Sequence, residues 1–271
     1  MSEYTSELQN ALIGVAHDLA DTARVETLRY FRTNNLNTEN KWTTGFDPVT
    51  EADKAAERVM RDRLALLRPA DAILGEEYGP KSGNSGLTWV LDPIDGTRGY
   101  LSGTPTWGTL ISVANDSGPL FGIIDQPYVR ERFCGGFGQA YHTGPMGDRK
   151  NRTRDTKDLS DAVIFTTFPE VGTPEDRQAF EAVAKRCKLI RFGMDCYAYA
   201  LLAAGQIDLV IESGLAPYDI QAPIAVIQAA GGIVTNWDGT PAHAGGRVIA
   251  AANAQLHEQA LRVMHETIGA S

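Results

Sequence analysis

The chain has 271 residues, 43% of them hydrophobic and 22% charged, and a formal net charge of −9. That length and composition suit one large globular domain or two intimate halves, and the acidic balance excludes nonspecific nucleic-acid binding, which needs a basic surface. No run of about 18 apolar residues is present, so no membrane span is expected, and Met1-Ser2-Glu3-Tyr4 lacks the basic and apolar regions of a signal peptide.

Leu8, Leu12, Val15, Leu19, Val25, Leu28 and Phe31 recur at helical spacing, which predicts one long helix over residues 7–32. The polar stretch Asn34–Asn40 reads as a loop, Lys41–Thr44 as a short strand and Gly45–Pro48 as a turn. A second helix opens at Thr50, with Asp53 as its capping-box partner. Ala72-Ile73-Leu74 is a short strand, and Gly79–Gly86 is a turn-rich connection to the Trp89 strand. Thr106–Ala114, Leu120–Gln126, Arg132–Gly138 and Ala140–His142 predict an antiparallel meander. Gly135–Gly138 does not satisfy the dinucleotide pattern. Residues 144–160 are polar and mark a passage from an N-terminal α+β half (1–150) to a C-terminal α/β half (151–271). In the second half, strands are expected at Ala162–Thr167, Leu189–Arg191, Leu209–Glu212 and Val248–Ala251. Helices are expected at Pro174–Lys185, Cys196–Ala204, from Asp219 to a Gly231-Gly232 C-cap, and after Asn253. Cys134, Cys187 and Cys196 are odd in number with no Cys-x-x-Cys spacing, which fits a reduced cytoplasmic protein that uses them as core filler. His257 and His265 read as surface residues, because neither belongs to a zinc motif.

The most informative stretch is Trp89-Val90-Leu91-Asp92-Pro93-Ile94-Asp95-Gly96-Thr97. An apolar strand is expected to stop at Asp92, because Pro93 has no backbone donor to continue a ladder. The turn then gathers two carboxylates and a hydroxyl with nothing basic between them. Such acids repel and shift each other's pKa, a conflict that a hard divalent cation removes. A plain Asp-Pro turn with solvated acids would carry the same residues.

The Asp-Pro-Ile-Asp-Gly-Thr string resembles the signature of the inositol monophosphatase-like family of Mg²⁺-dependent phosphatases. Val49-Thr50 with Asp53, Gly75-Glu76-Glu77, and Asp219 before Gly231-Gly232 resemble that family's other motifs in order. Tyr218, Gln221 and Arg98-Gly99-Tyr100 depart from the usual residues, and Lys41 is one residue further from Asp53 than in inositol monophosphatases. The resemblance implies a layered αβαβα sandwich of the inositol monophosphatase and fructose-1,6-bisphosphatase type, two or three Mg²⁺ ions per site, and a homodimer. It implies one ion on Glu76, Asp92 and the Ile94 carbonyl, and a second on Asp92, Asp95 and Asp219. Thr97, helped by Asp53, would orient and deprotonate the attacking water, and the phosphate would lie on the N–H groups of Gly96 and Thr97.

Gly122–Tyr128 and Gly193–Tyr199 resemble the histidinol-phosphate phosphatase branch. Asp195 and Glu212 would make the substrate pocket negative, which suits the ammonium and imidazole of histidinol. Asp195 also reads as a helix N-cap before Cys196, as Asp219 does for its own helix. Inositol-1-monophosphatase, 3′-phosphonucleotide phosphatase and a non-catalytic binding protein are the alternatives.

Overall fold

A computed structural model describes residues 4–33, 38–40 and 48–269. Its first half runs α1 (Ser6–Tyr30), β1 (Thr38–Asn40), β2 (Pro48–Thr50), α2 (Glu51–Leu67), β3 (Ala72–Gly75), β4 (Gly79–Lys81), β5 (Thr88–Asp95), α3 (Thr97–Ser102), β6 (Gly108–Asn115), β7 (Gly118–Gln126), β8 (Glu131–Gly136), β9 (Gln139–Thr143) and β10 (Arg149–Lys150). A 3₁₀ turn (Leu159–Asp161) leads to β11 (Val163–Thr166), α4 (Pro174–Ala184), β12 (Leu189–Phe192), α5 (Asp195–Ala203), β13 (Leu209–Leu215), α6 (Pro217–Ala229), β14 (Ile233–Asn236), β15 (Gly246–Ala251) and α7 (Ala254–Ile268).

Alternation along the strands builds the layers. Ile111, Val113, Phe121 and Ile123 turn toward Leu12, Leu19, Met60 and Leu64 of α1 and α2. Their neighbours Leu110 and Ile124 turn the other way, toward α5 and α6. Val210, Val248 and Ala250 reach the same α5–α6 layer from the second sheet. Leu209, Ile211 and Ile249 face Phe180 of α4 and Leu256 and Met264 of α7. The result is the expected αβαβα sandwich. One sheet has eight strands in the order β10-β9-β8-β7-β6-β5-β3-β4, and the other five in the order β12-β11-β13-β15-β14.

Helix α6 lies unusually close to the larger sheet. A Cβ on Gly122 would sit 2.5 Å from the Ala222 carbonyl oxygen, and one on Gly135 2.5 Å from Val226 Cα. Only glycine allows that approach, which is the role of Gly135 in a stretch with no dinucleotide pattern.

Several local expectations are corrected. Strand β5 does not stop at Asp92 but runs to Asp95, with its register against β6 shifted between those residues. The extra length bulges out, so Pro93 needs no ladder partner. Residues 38–40, expected as loop, pair with 48–50. Strand β14 was not anticipated, although Ile233-Val234-Thr235 is β-branched and follows a Gly-Gly pair. His257, expected at the surface, is half-buried, with Nε2 2.8 Å from the Thr235 hydroxyl; His265 is exposed as expected, with Nε2 2.6 Å from the Trp237 carbonyl. Cys134 and Cys196 are buried, but Cys187 only partly. Lys41 and the expected 41–44 strand lie outside the described residues, as does the side chain of Thr50. Among the described residues, no helix is long and apolar enough to cross a membrane.

Candidate active site

Parallel strands carry side chains off their C-terminal ends in register, and both sheets use this. In the parallel pair β3–β5, Gly75 pairs with Leu91, and the Glu76 N–H continues to the Leu91 carbonyl at 3.2 Å. Glu76 and Asp92 therefore leave neighbouring strand ends. The bulge after Asp92 is held by the Thr109 hydroxyl, which donates to the Pro93 carbonyl at 2.7 Å. The Thr97 hydroxyl donates to the Ile94 carbonyl at 3.1 Å. Asp95 rejoins the ladder opposite Gly108, and Gly96 turns the chain into α3 with φ of 84°. In the parallel pair β11–β13, the ends deliver Thr167 and Glu212.

Asp219 is not the N-cap of its helix. It is the third residue of α6, and its Oδ2 accepts from the Ala216 N–H at 2.7 Å in a capping box. Nor is Asp195 an N-cap: it is the first residue of α5, behind Met194, with a left-handed φ of 46°. A non-glycine residue in that region carries strain and is worth noting beside a cleft.

Carboxylate oxygens of Asp92, Asp95 and Asp219 all lie within 4.8 Å of one another. Asp95 Oδ2 accepts from the Cys196 N–H at 2.6 Å. Asp92 is 1% exposed, and its buried Oδ1 has no hydrogen-bond donor. Among the described residues, none of the three forms an ion pair. Burial pushes Asp92 well above the usual carboxylate range, and the nearby charges of Glu76, Asp95, Asp219 and Asp53 add to it. Burial does the same to Asp95, reinforced by Asp195 and Asp219. Asp219 is pushed up to about 6 by burial and the Glu212 charge, against the Ala216 N–H. An orphaned buried oxygen in an all-oxygen cluster fits a hard divalent cation.

The expected site residues Glu76, Asp92, Ile94, Asp95, Gly96, Thr97, Asp195, Glu212 and Asp219 line one cleft of about 650 Å³. Asp53 does not line it. It is buried at the start of α2, near enough to raise both Asp92 and Tyr100. The Asp195 carboxylate is wedged under the motif: a Cβ on Gly96 would lie 2.7 Å from Asp195 Cγ, and Thr106 donates to Asp195 Oδ2 at 3.1 Å. Burial pushes Asp195 up to about 6; Thr106 and Arg98 oppose the shift and Glu212 adds to it. Glu212 accepts from the Thr167 N–H at 3.0 Å, from the Thr167 hydroxyl at 2.5 Å and from the Tyr199 hydroxyl at 2.7 Å. Sequence reasoning missed the 167–172 wall, where Arg98 stacks on the Phe168 ring at 4.9 Å, and it missed Tyr199. Nothing local marks the 167–172 wall; a loop joins a site only through the fold.

The raised carboxyls predict a pH-linked metal response. A raised acid favours its protonated form in the native state. Its stabilisation is therefore complete below the unfolded pKa near 3.8 and lost as pH rises through about 6 for Asp195 and Asp219. The charged cluster is then least stable, and Mg²⁺ most effective, at higher pH. The Mg²⁺-induced rise in Tm should grow by several degrees between pH 5 and pH 7.5 in calorimetric scans. An increment independent of pH would show that these carboxyls do not bind the ion.

Comparisons with known proteins bear on the family and the fold. The model of the Inositol monophosphatase family matches residues 8–268. The chain is 37% identical to the Bifunctional phosphatase IMPL2, chloroplastic, of Arabidopsis thaliana, over 96% of this chain and 77% of that one. It is 32% identical to a Histidinol-phosphatase of Streptomyces coelicolor, over 98% of this chain and 99% of that one. A solved inositol monophosphatase from Zymomonas mobilis superposes with a TM-score of 0.83 and 35% identity, covering 97% of this chain and all of that one.

Proposed function

Because the chain belongs to the inositol monophosphatase family and is a metal-dependent phosphomonoesterase, we propose that it hydrolyses L-histidinol phosphate to L-histidinol and phosphate. The observation that carries this reading is the charge of the cleft beyond the metal cluster. Among the described lining residues Arg98 is the one cation, while Asp195, Glu212 and Glu170 add acids that no metal motif requires. Glu212 is buried and forms no ion pair among the described residues; burial raises its carboxyl, and the hydrogen bonds from Thr167 and Tyr199 oppose that shift. A substrate that brings its own ammonium or imidazolium answers that field; the hydroxyls of inositol do not. Arg98 partly answers Asp195, so Glu212 carries more of the discrimination. The Streptomyces relative, a Histidinol-phosphatase, supports this reading.

Glu76, Asp92, Asp95, Asp219 and the Ile94 carbonyl would hold Mg²⁺. When bound, the ions supply Lewis-acid activation of a water and charge stabilisation at the leaving oxygen. The Thr97 hydroxyl already donates to Ile94, so its lone pairs point outward and can accept from the attacking water. Asp53, buried at the start of α2 and near enough to act on Asp92, would support the proton's departure. The phosphate would lie on the Gly96 and Thr97 N–H groups, at the start of α3. Among the described residues no side chain is arranged as a covalent nucleophile, which supports direct attack by water. Two copies of the chain would form a dimer.

Phosphate release from L-histidinol phosphate and myo-inositol 1-phosphate, measured side by side with Mg²⁺, tests the substrate. A preference for inositol phosphate discards it. In the same assay, Glu212→Gln should lower kcat/KM for histidinol phosphate by about tenfold to a hundredfold, the worth of about 1.5–3 kcal/mol for a charged hydrogen-bonding group. Turnover of glycerol 2-phosphate, which has no ammonium, should change much less. Equal losses on both substrates would make Glu212 a scaffold residue only.

A further inference from the structure

Helix α2 carries a second acid one turn beyond Asp53, and nothing in the phosphatase reading uses it. Glu57 is fully buried. Its Oε2 accepts from the Glu77 N–H at 2.7 Å, and its Oε1 from the Tyr78 N–H at 3.3 Å. Arg61, one turn further on, donates from Nε to the same Oε1 at 2.6 Å and from Nη2 to the Gly79 carbonyl. The guanidinium also lies over the Tyr78 ring at 5.8 Å, and the Tyr78 hydroxyl returns to the Lys54 carbonyl at 3.2 Å. Gly75 rests directly on the carboxylate, where a Cβ would come within 2.0 Å of Glu57 Oε1.

Glu76 sits in the middle of this clamp. Its own N–H is fixed by Leu91, and the next two N–H groups are fixed by Glu57. Isolated backbone donors at a strand end would ordinarily be left to water. Here a buried charge, itself held by an arginine, spends both oxygens on them. The spacing places Asp53 and Glu57 on one face of α2, so a single helix supports both sides of the metal cluster.

We infer that Glu57 is a positioning residue: with Arg61 and the bare Cα of Gly75, it sets the backbone from which Glu76 reaches the metal. This rests on the metal-dependent reading above. A carboxylate held in place before the ion arrives loses less freedom on binding it, and outer partners of metal ligands tune affinity about 10–100-fold. The clamp therefore acts on metal affinity, not on the phosphoester.

The test is calorimetric titration of the full chain with Mg²⁺, alongside steady-state kinetics. Glu57→Gln should weaken Mg²⁺ binding about 10–100-fold. At saturating Mg²⁺, kcat should recover and KM for the phosphoester should stay unchanged. Asp71→Asn is the control for a purely structural loss. Asp71 is equally buried, pairs with Arg68 at 2.7 Å and accepts from Trp89 Nε1 at 2.9 Å, but it precedes β3 at the end away from Glu76. That variant should lower stability and leave Mg²⁺ affinity alone. Wild-type affinity in Glu57→Gln, or an equal loss in both variants, overturns the inference. If Glu57→Gln does not fold, Arg61→Met replaces it, with a several-fold loss of Mg²⁺ affinity expected and an unchanged affinity overturning the clamp. A wild-type chain that binds no Mg²⁺ overturns the metal reading and the clamp together; a wild-type chain that binds it beside an unaffected Glu57 variant overturns the clamp alone.

Discussion

Asp92→Asn should cut Mg²⁺-dependent turnover by about 10³-fold or more while raising the Tm of the metal-free protein. The two effects have one cause. Asp92 is buried, its Oδ1 has no donor, and the charges of Glu76, Asp95, Asp219 and Asp53 all press on it. In the metal-free chain that arrangement is destabilising, because a charge out of water needs a partner. An asparagine removes the charge and supplies an N–H₂ that can donate to Asp95 or Asp219, so the fold gains. Catalysis loses, because the metals supply several kcal/mol of charge stabilisation in the transition state and each 1.36 kcal/mol is a factor of ten. Kinetics and calorimetric scans with and without Mg²⁺ measure both. A structural aspartate would behave in the opposite way, losing stability and keeping activity. Turnover near wild type would remove Asp92 from the metal site, whatever the Tm.

Asp125→Ala should lower Tm by about 10 °C and leave the Mg²⁺ affinity of the folded protein unchanged. Asp125 is 0% exposed and holds two arginines. Arg24 grips it through Nη2 at 2.5 Å and Nε at 3.1 Å, and Arg132 through Nε at 2.7 Å. Arg132 is itself buried; its Nη2 donates to Asp21 at 2.7 Å, and its Nη1 lies 3.1 Å from His17 Nδ1. The network ties α1 to β7 and β8. Removing its central acid strands a buried cation, which costs about 3–5 kcal/mol, and in a chain of this size each kcal/mol is worth about 2–4 °C. Arg24→Met, at the partly exposed edge of the network, should cost only about 1 kcal/mol. If Asp125→Ala melts with the wild type, the network contributes no net stability. If it also loses Mg²⁺ affinity, α1 is coupled to the site.

That network also changes the meaning of a sequence fingerprint. Gly122–Tyr128 is one of the two stretches that resemble the histidinol-phosphate phosphatase branch, yet it builds scaffold. Gly122 admits α6, Asp125 anchors two arginines, Gln126 donates to Cys196 Sγ at 3.3 Å, and Tyr128 packs on Phe31. None of these residues lines the cleft. The second stretch, Gly193–Tyr199, does reach it through Asp195, Cys196 and Tyr199. Even there, Asp195 spends its carboxylate against Gly96 and Thr106 as much as toward the opening.

The metal cluster was legible because its chemistry is local. Asp92 and Asp95 are brought together by the two residues between them, and a proline, a glycine and a threonine announce the turn. The five layers were legible because period-two and helical alternation record which faces are buried. Lys41 and the surrounding segment could be read only as sequence. Three things were decided by tertiary structure. The bulge that keeps β5 running through Pro93 depends on its partner β6. The 167–172 wall and Arg98 meet only because two sheets converge on one cleft. Asp53 and Glu57 look alike as acids on α2, but only the Asp53 charge acts on Asp92, while Glu57 clamps the turn beside Glu76. The reason is physical. Sequence spacing reports which side chains share a face, but charge, burial and hydrogen bonding depend on what the opposite face brings, and that is a property of packing between distant segments.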